Sequence, residues 1–160
     1  MSAIIFSLPR ISSAEVLFNE IAWMGTPESQ YGEWLELYND GSGLVSLGEL
    51  TLYEKGGEIK IIDLSGDISA KGFHIIKRST PSTTDPIPTI SGTLGPFGGS
   101  GLSNSGEFLV LKDKNGAIVD SLDATSGWLA GSSQTKETMQ FVDGSWITAT
   151  GTPGVKNVLQ

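Results

Sequence analysis

The chain has 160 residues, of which 61 are Gly, Pro, Ser or Thr, and it contains no Cys. Turn chemistry that dense in a chain that is 38% hydrophobic favours many short strands over long helices, and the length suits one domain with one core. Ten Lys and Arg against 18 Asp and Glu leave a net charge of -8, which opposes binding to a phosphate backbone, and the missing Cys excludes a disulfide framework, a thiolate nucleophile and a zinc finger.

Residues 1–14, MSAIIFSLPRISSA, hold an apolar patch from Ala3 to Leu8 and then the small residues Ser12, Ser13 and Ala14, where a signal peptidase would read. The stretch is short for an export signal and has no Lys or Arg before Leu8. It reads either as a clipped export signal or as an ordinary leader or first edge strand. No heptad pattern or long apolar run follows, which removes coiled coils and membrane-spanning helices.

From Glu15 onward short apolar or alternating runs are broken by Gly, Asn, Asp and Pro. Strands are expected at Val16 to Ala22, Glu33 to Tyr38, Leu50 to Glu54, Ile59 to Asp63, Phe73 to Lys77, Glu107 to Lys112, Ala117 to Leu122 and Thr138 to Val142. Gly56-Gly57 and Lys114-Asn115-Gly116 mark two hairpins, the second supplying the positive φ that a tight turn needs. The Pro- and Gly-rich stretch from Ser79 to Ser105 predicts a long, mobile connection, and Thr125 to Lys136 a second loop anchored by Trp128. The tail GTPGVKN, Gly151 to Asn157, is expected to cap the last strand and leave the domain.

Strand alternation puts Trp34, Glu36 and Tyr38 on one face and Leu35 and Leu37 on the other. Both faces are largely apolar, so this strand lies centrally, and a covered Glu36 needs hydrogen-bond donors. Together with VLFNEIAW it is expected to nucleate the core. Asn19, Glu20, Glu36 and Asn39 are polar residues embedded in apolar runs, and the simplest role for them is to satisfy loop backbone at strand ends. Gly72 and Gly106 stand where the chain turns tightly into a strand.

The order VLFNEIAWMG, GEWLELYNDG, ISAKGFHIIKRS, LSNSGEFLVLKDKNGAIVDSL, GWLAG and GTPGVKN resembles the bacterial lamin-tail domain family over roughly residues 15–157. Each motif alone is weak, whereas their succession at sensible spacing is specific. The resemblance implies an all-β, immunoglobulin-like β-sandwich of two antiparallel sheets with about 7–9 strands, used for recognition and carrying no catalytic machinery. One departure is Glu137-Thr138-Met139-Gln140-Phe141, where the family's usual Arg is missing, so any salt bridge that Arg makes in relatives is not carried over.

Residue types for chemistry are sparse. The single histidine, His74, sits in a strand pattern without a G-x-S-x-G elbow, so it is read as pointing to solvent or filling a strand face. The pairs Glu33 with Glu36 and Asp120 with Asp123 are three apart, which on a strand sends them to opposite faces and argues against a glycosidase pair. Asp40, Asp63, Asp67, Asp113, Asp120 and Asp123 read as turn formers, and a calcium site among them requires loops to converge. Gly95 to Gly101 has neither the lysine nor the helix of a phosphate loop. The sole basic cluster is Lys77-Arg78, beside the long connection. Trp128 and Trp146 lie near loops, where an indole suits stacking on a sugar or a protein hot spot. The expectation is thus a secreted or envelope-associated binding or adhesion module, with no enzyme activity, cofactor, metal or membrane span. Its partner is expected to be a protein or an envelope glycan, and its contact residues Trp128, Lys77, Arg78 and Trp146. A carbohydrate-binding module of an extracellular hydrolase is the alternative, with nucleic-acid binding behind it.

Overall fold

The computed structural model describes residues 16–78 and 101–158, so the leader and most of the expected 79–105 connection lie outside the described residues. Among those residues the chain forms β1 (Val16–Ala22), β2 (Trp34–Asn39), β3 (Val45–Ser46), β4 (Leu50–Glu54), β5 (Ile59–Asp63), β6 (Asp67–Ile68), β7 (Phe73–Lys77), β8 (Phe108–Asp113), β9 (Ile118–Asp123), β10 (Thr138–Val142) and β11 (Ser145–Ala149). One antiparallel sheet has the spatial order β11-β10-β1-β2-β7 and a second the order β5-β4-β8-β9, while β3 and β6 pair as a short ribbon. The molecule is an all-β sandwich.

Five expected strands have the bounds read from the sequence, and β2, β8 and β9 each sit one residue further on than expected. Glu33 and Glu107 stand at the mouths of β2 and β8, their carbonyls accepting from Arg78 and Ala124 N–H at 2.9 and 2.8 Å. Their carboxylates turn to the backbone N–H groups of Leu102 and Ser103, at 2.9 and 3.0 Å. Strands β3, β6 and β11 were not expected: β3 and β6 are two residues long, below any readable period, and β11 follows the Asp143-Gly144 turn. The Asn115-Gly116 turn forms as its chemistry demands, with Gly116 at φ 81° and the Asp113 side chain accepting from the N–H groups of Asn115 and Ala117.

Between the sheets, Phe18, Ile21, Leu35, Leu37, Ile76 and Met139 join Leu52, Leu109, Leu111 and Leu122 in one apolar cluster. Covering each such side chain is worth about 1.5–3 kcal/mol. His74, paired with Leu37 across β7 and β2, is fully buried, which removes the solvent-facing reading of that residue. A bulge at Asn19 interrupts the β1–β2 ladder, and beside it Phe18 N–H donates to Asp120 Oδ2 of β9 at 2.8 Å, tying one sheet to the other.

The opposite face of the five-stranded sheet carries Trp34, Glu36 and Tyr38, and is covered by the chain's last described segment. Residues 150–157 cross it as a strap and do not simply leave the domain, as the sequence had suggested. Gln140 Nε2 donates to Thr150 O at 2.7 Å, Thr152 N–H to Glu20 Oε1 at 2.9 Å, and Gly154 N–H to Glu36 Oε2. The Asn157 amide donates to the carbonyls of Asn19 and Phe141 at 2.8 and 3.2 Å. A tail with few apolar residues is held here by hydrogen bonds to buried side chains.

Candidate functional site

At one end of the sandwich β1 leaves the sheet through Trp23 and Met24 and returns through a turn at Thr26 to Ser29, where Thr26 and Ser29 exchange backbone hydrogen bonds. Glu33 follows, only 5% exposed, at the mouth of β2. Its Oε1 accepts from the Arg78 guanidinium at 3.1 Å and its Oε2 from Leu102 N–H at 2.9 Å, while its carbonyl accepts from Arg78 N–H. One residue thus joins the two described edges of the 79–100 segment. Burial pushes the Glu33 carboxyl above its ordinary value, and the Leu102 N–H and Arg78 pull it back. Gly101 completes the fit: at φ 77°, a Cβ there would lie 2.1 Å from Glu33 Oε2, so a side chain would displace the carboxylate.

Arg78 also lies over the Tyr31 ring, 5.0 Å from its centroid, and Tyr31 is 58% exposed. Trp23 and Trp128 stack face to face with centroids 6.0 Å apart and planes within 6°. Both indole N–H groups are engaged, Trp23 with Ala130 O at 3.0 Å and Trp128 with Ser103 O at 2.8 Å. Lys136 Nζ donates to Met24 O at 2.8 Å. Between these groups opens a cleft of about 510 Å³ lined by Trp23, Tyr31, Glu33, Arg78, Leu102 and Lys136, among others. It offers aromatic faces beside two cations and one buried carboxylate.

The four residues expected from sequence divide. Arg78 lines the cleft, and Trp128 backs it through its stack on Trp23. Lys77 is 3% exposed and lies opposite Trp34 on the strap-covered side of the sheet, so Lys77 and Arg78 do not form one cationic edge. Trp146 lies on β11, half-buried, with its ring 5.2 Å from that of Phe141. Tyr31, Glu33 and Lys136 were not singled out for this role. Tyr31 alone carried a legible signal, an aromatic residue in a loop of Gly, Ser and Pro.

The other polar residues noted in the strands are bound into the framework. Glu20 accepts from Thr138 and Thr152 hydroxyls at 2.6 and 2.9 Å, from Gln140 at 3.2 Å and from Thr152 N–H. Glu36 accepts from the Asn19 amide at 2.6 Å and from Gly154 N–H. Burial pushes both carboxyls up, Glu36 to about 8, against the pull of these donors. Asn39 donates to the carbonyls of Gly43, Ile68 and Ser69 and accepts from Gly41 N–H, closing the loops around the β3–β6 ribbon. Among the described residues, no group of three or more His, Asp or Glu side chains is placed to hold a metal ion, and no helix is long and apolar enough to cross a membrane. No protein-family model matches the chain, and no curated protein matches it.

Proposed function

We propose that the chain is a non-catalytic recognition module of lamin-tail, immunoglobulin-like type, exported or held at a bacterial envelope, and that it binds a protein partner through the cleft between Tyr31, Arg78 and Lys136. The observation that carries this reading is the Tyr31–Arg78 stack, in which an exposed ring and a guanidinium are fixed over a cleft by the buried Glu33. Rigid aromatic and Arg groups are the usual anchors of protein interfaces, because they present large contact area with little entropy to lose. The motif order along the sequence and the two-sheet sandwich support the family reading.

The test is equilibrium binding of the purified chain to bacterial envelope material, before and after protease digestion of that material. Saturable binding is expected, abolished by digestion and weakened about tenfold or more in Tyr31→Ala or Arg78→Ala, corresponding to at least ~1.4 kcal/mol. Binding that survives digestion and appears on a glycan array would replace the protein partner by a sugar. Binding unchanged in both variants would remove the cleft from the proposal.

A further inference from the structure

Glu20 and Glu36 are cross-strand partners in the β1–β2 ladder, and both have zero exposure. Side chains directly opposite on antiparallel strands stand about 4.5–5.5 Å apart at Cβ, where two like charges repel. Their surroundings are unequal. Glu20 is met by four donor groups, from Thr138, Gln140 and both the N–H and the hydroxyl of Thr152, whereas Glu36 is met by two, from Asn19 and Gly154. Glu20, met by more donors, is therefore the one to carry charge, while burial first, and the charge on Glu20 in addition, disfavour ionisation of Glu36. Both residues hold the strap, Glu20 at Thr152 and Glu36 at Gly154.

The same face carries further polar and charged groups. Strand β10 contributes Thr138 and Gln140, and β7 contributes Ile75 and the buried Lys77, which pairs with Trp34 two register positions from Glu36. The strap itself carries Lys156, which lines the cleft at one end of the strap with Asp40 and Asp143, and Glu28, Lys136 and Glu137 line the cleft at the other end.

We propose that Glu20 and Glu36 form a proton-operated latch on the 150–157 strap: with one proton on the pair the strap is held down, and loss of that proton to solvent leaves two buried negative charges on facing residues beneath it and loosens it. Burial sets the working point, since Glu36 is held up to about 8. Loosening the strap uncovers Trp34, which lies against Gly151. The latch does not rest on the partner-binding reading: Lys136 borders both clefts, but neither Glu20 nor Glu36 lines the Tyr31–Arg78 cleft.

The experiment is amide hydrogen exchange of Thr152 and Gly154 in the full chain, followed by NMR between about pH 6.5 and pH 9.5, with the Leu35 and Leu37 amides as internal reference. After correction for the intrinsic pH dependence of exchange, the strap amides of the wild type are expected to lose about tenfold or more of their protection relative to the reference. In Glu36→Gln, which keeps an acceptor and cannot ionise, that loss is expected to vanish. Unchanged relative protection in the wild type, or an equal loss in Glu36→Gln, would overturn the latch. Should the variant not fold, the wild-type side-chain carboxyl carbon of Glu36 decides: a titration midpoint near 8 shared with the Gly154 amide upholds it, and a midpoint below about 6 overturns it.

Discussion

At the scale of single residues, Glu33 contributes most to the shape of the candidate site. Its two oxygens fix a cation and a backbone N–H that stand 45 and 69 positions away in sequence. Glu33→Ala is expected to lower unfolding free energy by about 2–3 kcal/mol, because it strands a half-buried guanidinium and leaves the Leu102 N–H without its acceptor. Glu33→Gln is expected to cost about half of that, since one acceptor survives. Urea titration checks both, and equal midpoints for the wild type and Glu33→Ala would rule out the clamp. Those long separations also explain why the role was not legible in the sequence, where Glu33 reads as the first residue of a strand. Asn19, Glu20, Glu36 and Asn39 were legible because a polar residue inside an apolar run must find partners wherever it lands. Which partners Glu20 and Glu36 find, Thr138, Gln140, Thr152 and Gly154 more than a hundred residues on, depends on tertiary placement that no local pattern encodes.

At the scale of elements, periodicity located the longer strands and missed those it cannot register. Strand β11 announces itself only through Asp143-Gly144, both at positive φ, a turn signal as plain as Asn115-Gly116 but followed by the weak alternation of SWITA. The strap is harder still, because a Gly- and Pro-containing segment docked by hydrogen bonds has the composition of a free tail. The glutamates buried beneath it give the fold a pH dependence of definite sign. The folded value for Glu36 is raised from its ordinary 4.5 to about 8, so the folded chain binds more protons than the unfolded chain across that interval. The stabilisation is fully present below about pH 4.5, declines as pH rises and is gone above about 8, with Glu20 and Glu33 shifted in the same direction. Chemical unfolding at a series of pH values is expected to show stability falling by up to roughly 1.4 kcal/mol per pH unit through the middle of that window. Glu36→Gln should flatten the curve, and a rise in stability over the same range would contradict the burial of this carboxyl.

At the scale of the whole molecule, the sandwich depends on the aliphatic layer between the sheets, in which Leu52, Leu109 and Leu111 are fully covered. Leu111→Ala is expected to cost about 2–5 kcal/mol by thermal or urea unfolding, the range set by how far its neighbours collapse into the space. A loss below about 1 kcal/mol would mean that the two layers do not meet there. The sandwich class was legible because it follows from strand number and turn density, which are sums over the chain, whereas sheet order is a matter of pairing. The Glu33 clamp has a further consequence for how this molecule tolerates change. Since Arg78 and Leu102 are fastened to the same carboxylate, the points where the chain departs after Arg78 and rejoins at Leu102 are held together by one side chain; lengthening a flexible loop closed between two such points adds only about 0.6 kcal/mol of closure entropy per doubling. The clamp thus separates the position of a loop's ends from its length.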